Sequence, residues 1–263
     1  MQKEIEENNA LGVKISSENR SDKNTLPKVA IPKTIHYIWF GGNKKNELIE
    51  KCIQSWKEKL PDYKIVEWNE NNFDINSHPY MQKAYTEKKW AFVSDYARLK
   101  ILYEHGGVYL DTDMYILKNF DDILRCSSEC LVGKEDGNYI NAAFMASSKG
   151  SKYLKDLLSE YDSMTQIETI PRVMTRLTKE NTYTKTDLLV LPKNTFYPFD
   201  AENIKDFNYK NAPLESYGVH LWNYSWGHPL VKFVKRIGLH KFIIRILDMF
   251  KVKSILKKLM NSA

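Results

Sequence analysis

Two acidic residues with one residue between them, Asp111 and Asp113, follow the short apolar run Val108-Tyr109-Leu110. Residues two apart in a β-strand project to the same side, so these side chains can converge just past the strand's carboxyl end. Converging carboxylates repel each other unless a cation lies between them, and a hard divalent ion accepts their oxygens while keeping other positions open. Those positions suit the oxygens of a diphosphate, whose charge the ion would neutralise. The pattern therefore indicates a candidate divalent-metal site.

The residues before this pair matter, because a bare Asp-x-Asp is also common in solvated turns. Gly106-Gly107 precede the strand, and the helix before them carries Asp95 and Arg98, which are three apart and share a helix face. That pair is either part of the same site or an intrahelical ion pair, which would stabilise the helix by only about 0.2–0.5 kcal/mol. On these residues alone, a metal site and a solvated turn are both open interpretations.

The elements that would position this site begin with a strand, a helix and a second strand. A β-branched and aromatic run predicts a strand over residues 34–40, which stops at Gly41-Gly42. Apolar residues at three- and four-residue steps predict a helix from residue 47 to about residue 60, and residues 64–68 predict the next strand. This order is typical of a parallel α/β sheet, in which ligands bind outside the carboxyl ends of the strands.

A helix over residues 94–105 leads into the acidic strand. Ser94 is predicted to be its N-cap, Asp95 then lies in the first turn, and Gly106-Gly107 supply the left-handed stop. Farther along, the pattern predicts strands over 139–146 and 188–191 and helices over 153–161 and 170–179. We expect three segments, namely a polar extension over 1–29, one α/β domain over 30–227 and a basic helical tail over 228–263.

Three blocks of sequence carry a family resemblance. The run from Trp90 to Asp113 (WAFVSDYARLKILYEHGGVYLDTD) strongly resembles the DXD-containing sugar-binding region of glycosyltransferase family 32. That family includes initiating mannosyltransferases, α-galactosyltransferases and bacterial capsule enzymes, and the run is also similar to the catalytic core of the large clostridial glucosylating toxins. Residues 31–42 (IPKTIHYIWFGG) and 220–226 (HLWNYSW) are similar to the family's first strand and closing motif. The resemblance implies a GT-A fold, which is a single nucleotide-binding α/β domain with a mainly parallel central sheet.

The resemblance also implies a catalytic centre. Asp111 and Asp113, joined by His220, match the ligands of a divalent ion, Mn²⁺ or Mg²⁺. Asp95 and Arg98 match residues that hold the ribose and the donor sugar or its phosphates. A lone histidine is more often structural, so a core position for His220 is the alternative to a metal ligand.

Further residues match positions that bind the donor. Trp39 matches the ring that stacks on the donor base, although a tryptophan at a strand end can equally belong to the core. Tyr109 can contact the donor or simply pack, and Asn141 matches a sugar contact whose alternative is a turn amide. Ser225 and Trp226 match a C-terminal loop that closes over the donor and excludes water. The implied donor-binding set is Ile38, Trp39, Asp95, Arg98, Tyr109, Asp111, Asn141, Ser225 and Trp226.

The implied function is that of a retaining, metal-dependent hexosyltransferase in surface or capsular polysaccharide synthesis. Its donor would be a nucleotide diphosphate sugar of the UDP type, and its acceptor a glycan or a lipid-linked glycan. In such enzymes the acceptor attacks from the face that the leaving group departs and the diphosphate takes its proton, so no general base is expected. The alternatives are a toxin-like protein glucosyltransferase and a catalytically silent GT-A-like scaffold held on membranes.

The charge of the chain is concentrated in its tail. Of the formal net charge of +6, residues 228–263 carry +8 and residues 1–227 carry −2. Apolar residues from Leu239 to Phe250 recur at helical spacing with basic residues between them, which predicts a basic amphipathic helix. Such a helix either binds an anionic membrane surface or packs on its own domain. No groove of basic and aromatic residues accompanies the charge, so nucleic acid is not an expected partner.

The compartment follows from what the sequence contains and omits. No apolar run reaches the roughly 18–20 residues that span a bilayer, and the first residues lack the apolar core of a secretory signal. The three cysteines, Cys52, Cys126 and Cys130, suggest free thiols in a reducing compartment rather than disulfides or a zinc site. We expect a cytoplasmic protein, with the tail placing it at the inner face of a bacterial plasma membrane.

Overall fold

A computed structural model describes residues 30–137 and 139–223 of the 263-residue chain. The polar extension, Ser225, Trp226 and the basic tail lie outside the described residues, so the predictions made for them, and the three-segment division, stay predictions. None of the helices in residues 30–137 and 139–223 has both the length and the hydropathy of a membrane-spanning segment.

Eight strands and seven helices form the described part of the chain. The strands are β1 (Thr34–Ile38), β2 (Lys64–Trp68), β3 (Gly107–Leu110), β4 (Met114–Ile116), β5 (Cys130–Lys134), β6 (Ile140–Ser147), β7 (Leu188–Leu191) and β8 (Gly218–His220). The helices are α1 (Glu47–Lys59), α2 (Pro79–Thr86), α3 (Trp90–His105), α4 (Asp121–Leu124), α5 (Lys152–Asp162), α6 (Ile170–Glu180) and α7 (Lys193–Phe196), with a 3-10 turn at Ile204–Asp206.

The central sheet has six strands in the order β2-β1-β3-β6-β5-β7. β1 pairs in parallel with β2 and β3, and β5 pairs in parallel with β7, while β6 runs antiparallel to both of its neighbours. The predicted α/β class with a mainly parallel central sheet, implied for a GT-A domain, is confirmed. Because β6 alone is reversed, its first residues meet the carboxyl end of β3, and Asp111 N donates to Ala143 O at 2.8 Å.

Helices cover both faces of this sheet. Alternate residues of a strand face opposite sides, and along β3 Val108 and Leu110 join one buried cluster while Tyr109 joins the other. The Tyr109 side is covered by α2, α3, α5 and α6, and the opposite side by α1, α4 and α7. Trp56 of α1, which is fully buried, donates its indole N–H to Met114 O at 2.6 Å and so ties this helix to β4.

A second, two-stranded sheet joins distant parts of the chain. β4 and β8 pair antiparallel with Met114 opposite His220, and Leu221 N donates to Asp113 O at 2.9 Å. Each strand has three residues, which is too short for an alternating pattern to be recognised in sequence. This pairing brings His220 to the turn that holds the two aspartates.

Two sequence predictions about α3 and the acidic turn were wrong in detail. The helix begins at Trp90 rather than Ser94, with Lys89 at its N-cap, because the apolar segment before Ser94 is itself helical. Ser94 is no cap: its hydroxyl donates to Ala91 O at 2.7 Å inside the helix. Asp111 and Asp113 lie in a turn, closed by a bond from Met114 N to Asp111 O at 2.9 Å, so this turn and not the strand pleat makes them converge.

Other boundaries agree more closely. β1 ends at Ile38, two residues before the predicted end, although Trp39 N still donates to Trp68 O at 2.8 Å. The three cysteines are free, with Cys52 and Cys130 buried in the core. The helix α2 and the strand β5 were missed, since neither shows a sustained periodic pattern that separates it from its neighbours.

Candidate active site

A cavity of about 580 Å³ opens at the carboxyl ends of β1 and β3. Its walls come from the end of β1, the first turns of α3, the turn after β3, the β5–β6 connection, the start of α6 and the segment after β8. Every predicted site residue within the described ranges lines it, namely Ile38, Trp39, Asp95, Arg98, Tyr109, Asp111, Asp113, Asn141 and His220. The structure therefore brings these residues together, while their individual roles stay predictions.

Three side chains with metal-binding atoms meet on one wall. One ligand atom each of Asp111, Asp113 and His220 lies within 4.8 Å of the others. His220 Nε2 is 3.2 Å from Asp113 Oδ1, and Asp113 Oδ2 accepts a hydrogen bond from Asn223 N at 2.7 Å. The third side chain, Asp111, is more exposed than the other two, so an ion held here would face the cavity.

The electrostatics of this group suit a cation. Burial opposes the charged forms of both Asp113 and His220, but their mutual attraction holds the pKa of Asp113 below and that of His220 above its usual value. His220 Nδ1 is buried and has no hydrogen-bond partner among the described residues, and an unpaired buried polar atom costs about 1–3 kcal/mol. Two carboxylates and an imidazole, with one ligand atom of each close to the others, form a donor set that fits a divalent ion.

Arg98 holds Asp111 and its surroundings in place. Its Nη1 donates to Asp111 Oδ1 and Ala142 O, both at 3.0 Å, and its Nη2 donates to Asp95 Oδ1 and Ser94 Oγ, both at 3.2 Å. The Nε–H donates to Ser94 O at 3.1 Å. A guanidinium has five N–H groups, so all of them are used by the protein in this arrangement. Arg98 therefore positions Asp111, and it has no N–H group left for a donor phosphate without rearrangement.

The pair of Asp95 and Arg98 is no solvated surface ion pair. Both side chains are buried, with 8% and 6% exposed. Burial raises the pKa of Asp95 to about 7, against the opposing effects of Arg98 and of a hydrogen bond from Ile170 N, which is 3.2 Å from Asp95 Oδ2. Asp95 thus links α3 to the first residue of α6, which also lines the cavity.

Tyr109 completes the support of Asp111. Its hydroxyl donates to Asp111 Oδ1 at 2.8 Å, and the guanidinium of Arg98 lies over its ring at 4.5 Å. The side chain packs in the buried core cluster and also lines the cavity. Packing in the core and a contact with the donor are therefore compatible for Tyr109.

The aromatic residues of the cavity include two that sequence reasoning missed. Trp39 is half-buried and lines the cavity; its indole N–H donates to Asn43 O at 2.6 Å, and its ring also packs against the core. Its stacking on a donor base stays a prediction. Trp90 forms part of the lining, and a Cβ at Gly41 would lie 3.0 Å from its ring. Trp222 has a φ of 52°, which is rare for a residue with a side chain, and its ring centroid is 4.2 Å from that of His220.

Asn141 belongs to β6 and not to a turn. Its Oδ1 accepts from Ala143 N at 2.8 Å, and its Nδ2 donates to Glu135 Oε2 at 2.9 Å. Glu135, a carboxylate that the sequence did not single out, therefore reaches the same cavity. The only sequence pattern beside Glu135 is the Asp136-Gly137 pair, which predicts a hairpin connection but says nothing of a functional role for Glu135.

Comparison with known families agrees with this geometry. Residues 46–129 match the family model described as the glycosyltransferase sugar-binding region containing a DXD motif. Residues 150–241 match a second model, the alpha 1,4-glycosyltransferase conserved region. The first match contains Asp95, Arg98 and the two aspartates, and the second contains His220.

Individual relatives are more distant. The chain is 27% identical over 150 residues to lactosylceramide 4-alpha-galactosyltransferase of Mus musculus, covering 50% of this chain and 40% of that protein. It is 30% identical over 132 residues to inositol phosphoceramide mannosyltransferase 3 of Schizosaccharomyces pombe, covering 48% of this chain and 35% of that protein. The chain thus spans less than half the length of either curated relative.

Among solved structures, the glycosyltransferase GlyE of Streptococcus pneumoniae TIGR4 superimposes with a TM-score of 0.46 at 15% identity, covering 86% of this chain and 64% of GlyE. The two family matches together contain the helix α3, the acidic turn and the strand β8 that carries His220. The matches thus support the resemblance to glycosyltransferase family 32: the chain is similar to the DXD-containing sugar-binding region over residues 46–129 and to the alpha 1,4-glycosyltransferase region over residues 150–241.

Proposed function

We propose that the protein is a retaining hexosyltransferase that moves a sugar from a nucleotide diphosphate sugar, of the UDP type, to a glycan acceptor. The observation that carries this proposal is the convergence of Asp111, Asp113 and His220 in a cavity next to Arg98. Neither of the other two functions considered from sequence, a toxin-like protein glucosyltransferase and a silent scaffold, is favoured by a specific feature of this cavity.

Asp111, Asp113 and His220 would hold a divalent ion, which when bound supplies positive charge to the oxygens of the departing diphosphate. Manganese suits this mixed oxygen and nitrogen donor set better than magnesium, which prefers oxygen ligands and water. The residues of the chain supply orientation: Arg98 and Tyr109 hold Asp111, while Asn223 N and His220 hold Asp113. A rigidly placed donor set of this kind lowers the cost of reorganisation during the reaction.

The donor is expected to lie with its base at Trp39 and its diphosphate at the acidic turn. Trp39 presents a half-buried ring, and it lines the same cavity as the acidic turn. Retention of the anomeric configuration is inferred from the family resemblance. In such enzymes the departing diphosphate itself takes the proton of the acceptor. We therefore assign no general base.

The acceptor is proposed to be a lipid-linked glycan. The names of both curated relatives specify ceramide-based acceptors, lactosylceramide and inositol phosphoceramide, which supports a lipid-linked substrate class. A role in surface or capsular polysaccharide synthesis at the inner face of a bacterial plasma membrane, with the basic tail on the lipid, would fit such an acceptor. Each basic residue near an anionic surface adds about 1 kcal/mol of attraction.

The test is a screen of nucleotide sugars for Mn²⁺-dependent donor hydrolysis and transfer, repeated with Asp113→Asn. We expect activity that needs the metal and falls by at least about 100-fold in the variant, because removal of one ligand charge weakens both metal and diphosphate binding. Asp206→Asn, which removes an exposed acid far along the chain from this turn, is the matched control and should keep full activity. Activity that survives Asp113→Asn, or that needs no metal, would contradict the proposal. Binding of UDP-sugar and Mn²⁺ without hydrolysis or transfer would favour the silent scaffold.

A further inference from the structure

Glu135 is a carboxylate in the cavity that the proposed metal site does not use. Among the acids that line the cavity, Asp95 and Asp111 are paired with Arg98, and Asp113 is paired with His220. Glu135 forms no ion pair with any residue in the described ranges. It lies between β5 and β6, on the wall formed by this connection.

The side chain of Glu135 is held in place by its neighbours. Asn141 Nδ2 donates to Glu135 Oε2 at 2.9 Å, and the direction of that amide is set because Asn141 Oδ1 accepts from Ala143 N at 2.8 Å. The backbone is held as well, since Glu135 N donates to Tyr139 O at 2.8 Å. The carboxylate is therefore anchored through one oxygen, and in the described part of the chain no hydrogen bond reaches the other.

The free groups of this pair match a hydroxyl. A carboxylate oxygen can only accept a hydrogen bond, whereas an amide nitrogen has two N–H groups, of which Asn141 uses one on Glu135. Glu135 Oε1 and the second N–H of Asn141 thus offer an acceptor beside a donor. A sugar hydroxyl, which both donates and accepts, satisfies both groups at once.

The charge of Glu135 decides which part of the donor it can face. A diphosphate is strongly negative, and a like charge close to it is repelled strongly in a partly buried site. The sugar of a neutral hexosyl donor carries hydroxyl groups and no charge. The carboxylate therefore suits the sugar end of the donor rather than the diphosphate end.

We propose that Glu135, held by Asn141, binds a hydroxyl group of the donor sugar and selects neutral hexosyl donors against uronic acid donors. This inference rests on the proposed function and names the substrate class of the same site. A uronic acid would place a second carboxylate near Glu135, and the repulsion would oppose its binding. The role is one of specificity, since the group contacts the sugar and takes no proton.

The experiment compares the wild type with Glu135→Gln, which keeps the size of the side chain and an acceptor for Asn141 but removes the charge. Asp136→Asn removes a charge from the adjacent exposed residue and is the matched control. Binding of UDP with Mn²⁺ is measured by calorimetry, together with KM and kcat for UDP-glucose, UDP-galactose and UDP-glucuronate.

In Glu135→Gln we expect UDP binding to stay within about 2-fold and KM for the best hexosyl donor to rise about 10-fold with little change in kcat, as for loss of one charged hydrogen bond. The preference for that donor over UDP-glucuronate should shrink by at least about 10-fold, and Asp136→Asn should show none of these effects. Unchanged KM and unchanged preference, with UDP still bound, would overturn the role of Glu135 alone. A loss of kcat at constant KM would also overturn it, because it would place Glu135 in the chemical step. A wild-type protein that binds no UDP with Mn²⁺ would contradict the proposed function itself.

Discussion

Arg98 orients Asp111: its Nη1 donates to Asp111 Oδ1 at 3.0 Å, and the remaining N–H groups bind Ser94, Asp95 and Ala142 O. Asp111 is a candidate metal ligand that lines the cavity, and the Arg98 side chain that binds it is buried. A single planar cation thus connects α3, the acidic turn and β6. The position of the metal site depends on this connection.

Replacing Arg98 by lysine tests that dependence. Lysine keeps the charge but offers one nitrogen in place of a planar fork, so it cannot bind all of these acceptors. We expect donor hydrolysis to fall by about 100-fold and the free energy of unfolding to fall by about 2–4 kcal/mol, since buried acceptors lose their partner. Enzyme assays and urea denaturation measure the two effects.

The matched control is Lys100→Arg on the same helix, where the side chain pairs with Glu104 nearer the surface. This change should leave the free energy of unfolding within about 0.5 kcal/mol of the wild type. Donor hydrolysis should likewise stay close to the wild-type rate. Full donor hydrolysis in Arg98→Lys would show that the planar guanidinium group is not needed to position Asp111.

His36 predicts a dependence of stability on pH. Its Nδ1 accepts from Trp68 Nε1 at 3.0 Å, so its Nε2–H donates to Gly106 O at 2.9 Å and the ring is neutral. Burial, with smaller effects of nearby basic groups, lowers the pKa of His36 to about 4 from an ordinary value of 6.5. Between these two values the unfolded chain binds a proton that the folded chain does not, so the folded state loses stability as the pH falls.

The loss is expected to begin near pH 6.5 and to reach on the order of 3 kcal/mol near pH 4. Urea denaturation at a series of pH values measures it. His36→Gln cannot titrate and should show a flatter profile over this window, although it is less stable throughout. A profile in the variant as steep as that of the wild type would mean that other groups cause the dependence.

Gly133 lies where no side chain fits. A Cβ at this position would lie 2.2 Å from the ring of Tyr197, whose hydroxyl accepts from Phe144 N at 3.0 Å. Gly133→Ala should therefore displace Tyr197 and destabilise the fold by about 2–4 kcal/mol, measured as a change in the free energy of unfolding. It should also disturb the bulge between β5 and β6 that places Asn141.

Gly150→Ala separates this contact from a general effect of glycine replacement. A Cβ there meets nothing within 4 Å, but its φ of +75° disfavours alanine, so a loss of only about 1 kcal/mol is expected. Equal losses of unfolding free energy in the two variants would indicate that the Tyr197 ring can move aside without destabilising the fold.

The basic tail provides a prediction that rests on sequence alone. Deletion of residues 239–263 should lower binding to liposomes that contain anionic lipid, because the deleted segment carries most of the excess positive charge. Sedimentation with liposomes of neutral and anionic composition measures this. Liposome binding that stays the same after the deletion would count against membrane attachment.

Local patterns in the sequence determined the elements that carry most of the chemistry. The strand, helix and strand from residue 34 to residue 68, the acidic pair behind an apolar run, and the shared face of Asp95 and Arg98 all follow from short-range spacing. Spacing of this kind reports helix and strand faces because side chains repeat every 3.6 or 2 residues. Spacing indicated Asp111 and Asp113, with Asp95 and Arg98 as possible members of the same site. The family resemblance added the other five described residues, and all nine line one cavity.

Long-range pairing decided the rest. Glu135, Trp90 and Trp222 enter the cavity through a hairpin connection, an earlier helix start and the segment after β8, and no local pattern marks these three residues as part of a site. The meeting of Asp113 with His220 requires that two three-residue strands pair across more than a hundred residues of chain. Sequence could name both residues through resemblance, but only the antiparallel pairing of β4 and β8 puts them 3.2 Å apart, because that contact is formed by backbone hydrogen bonds between distant segments.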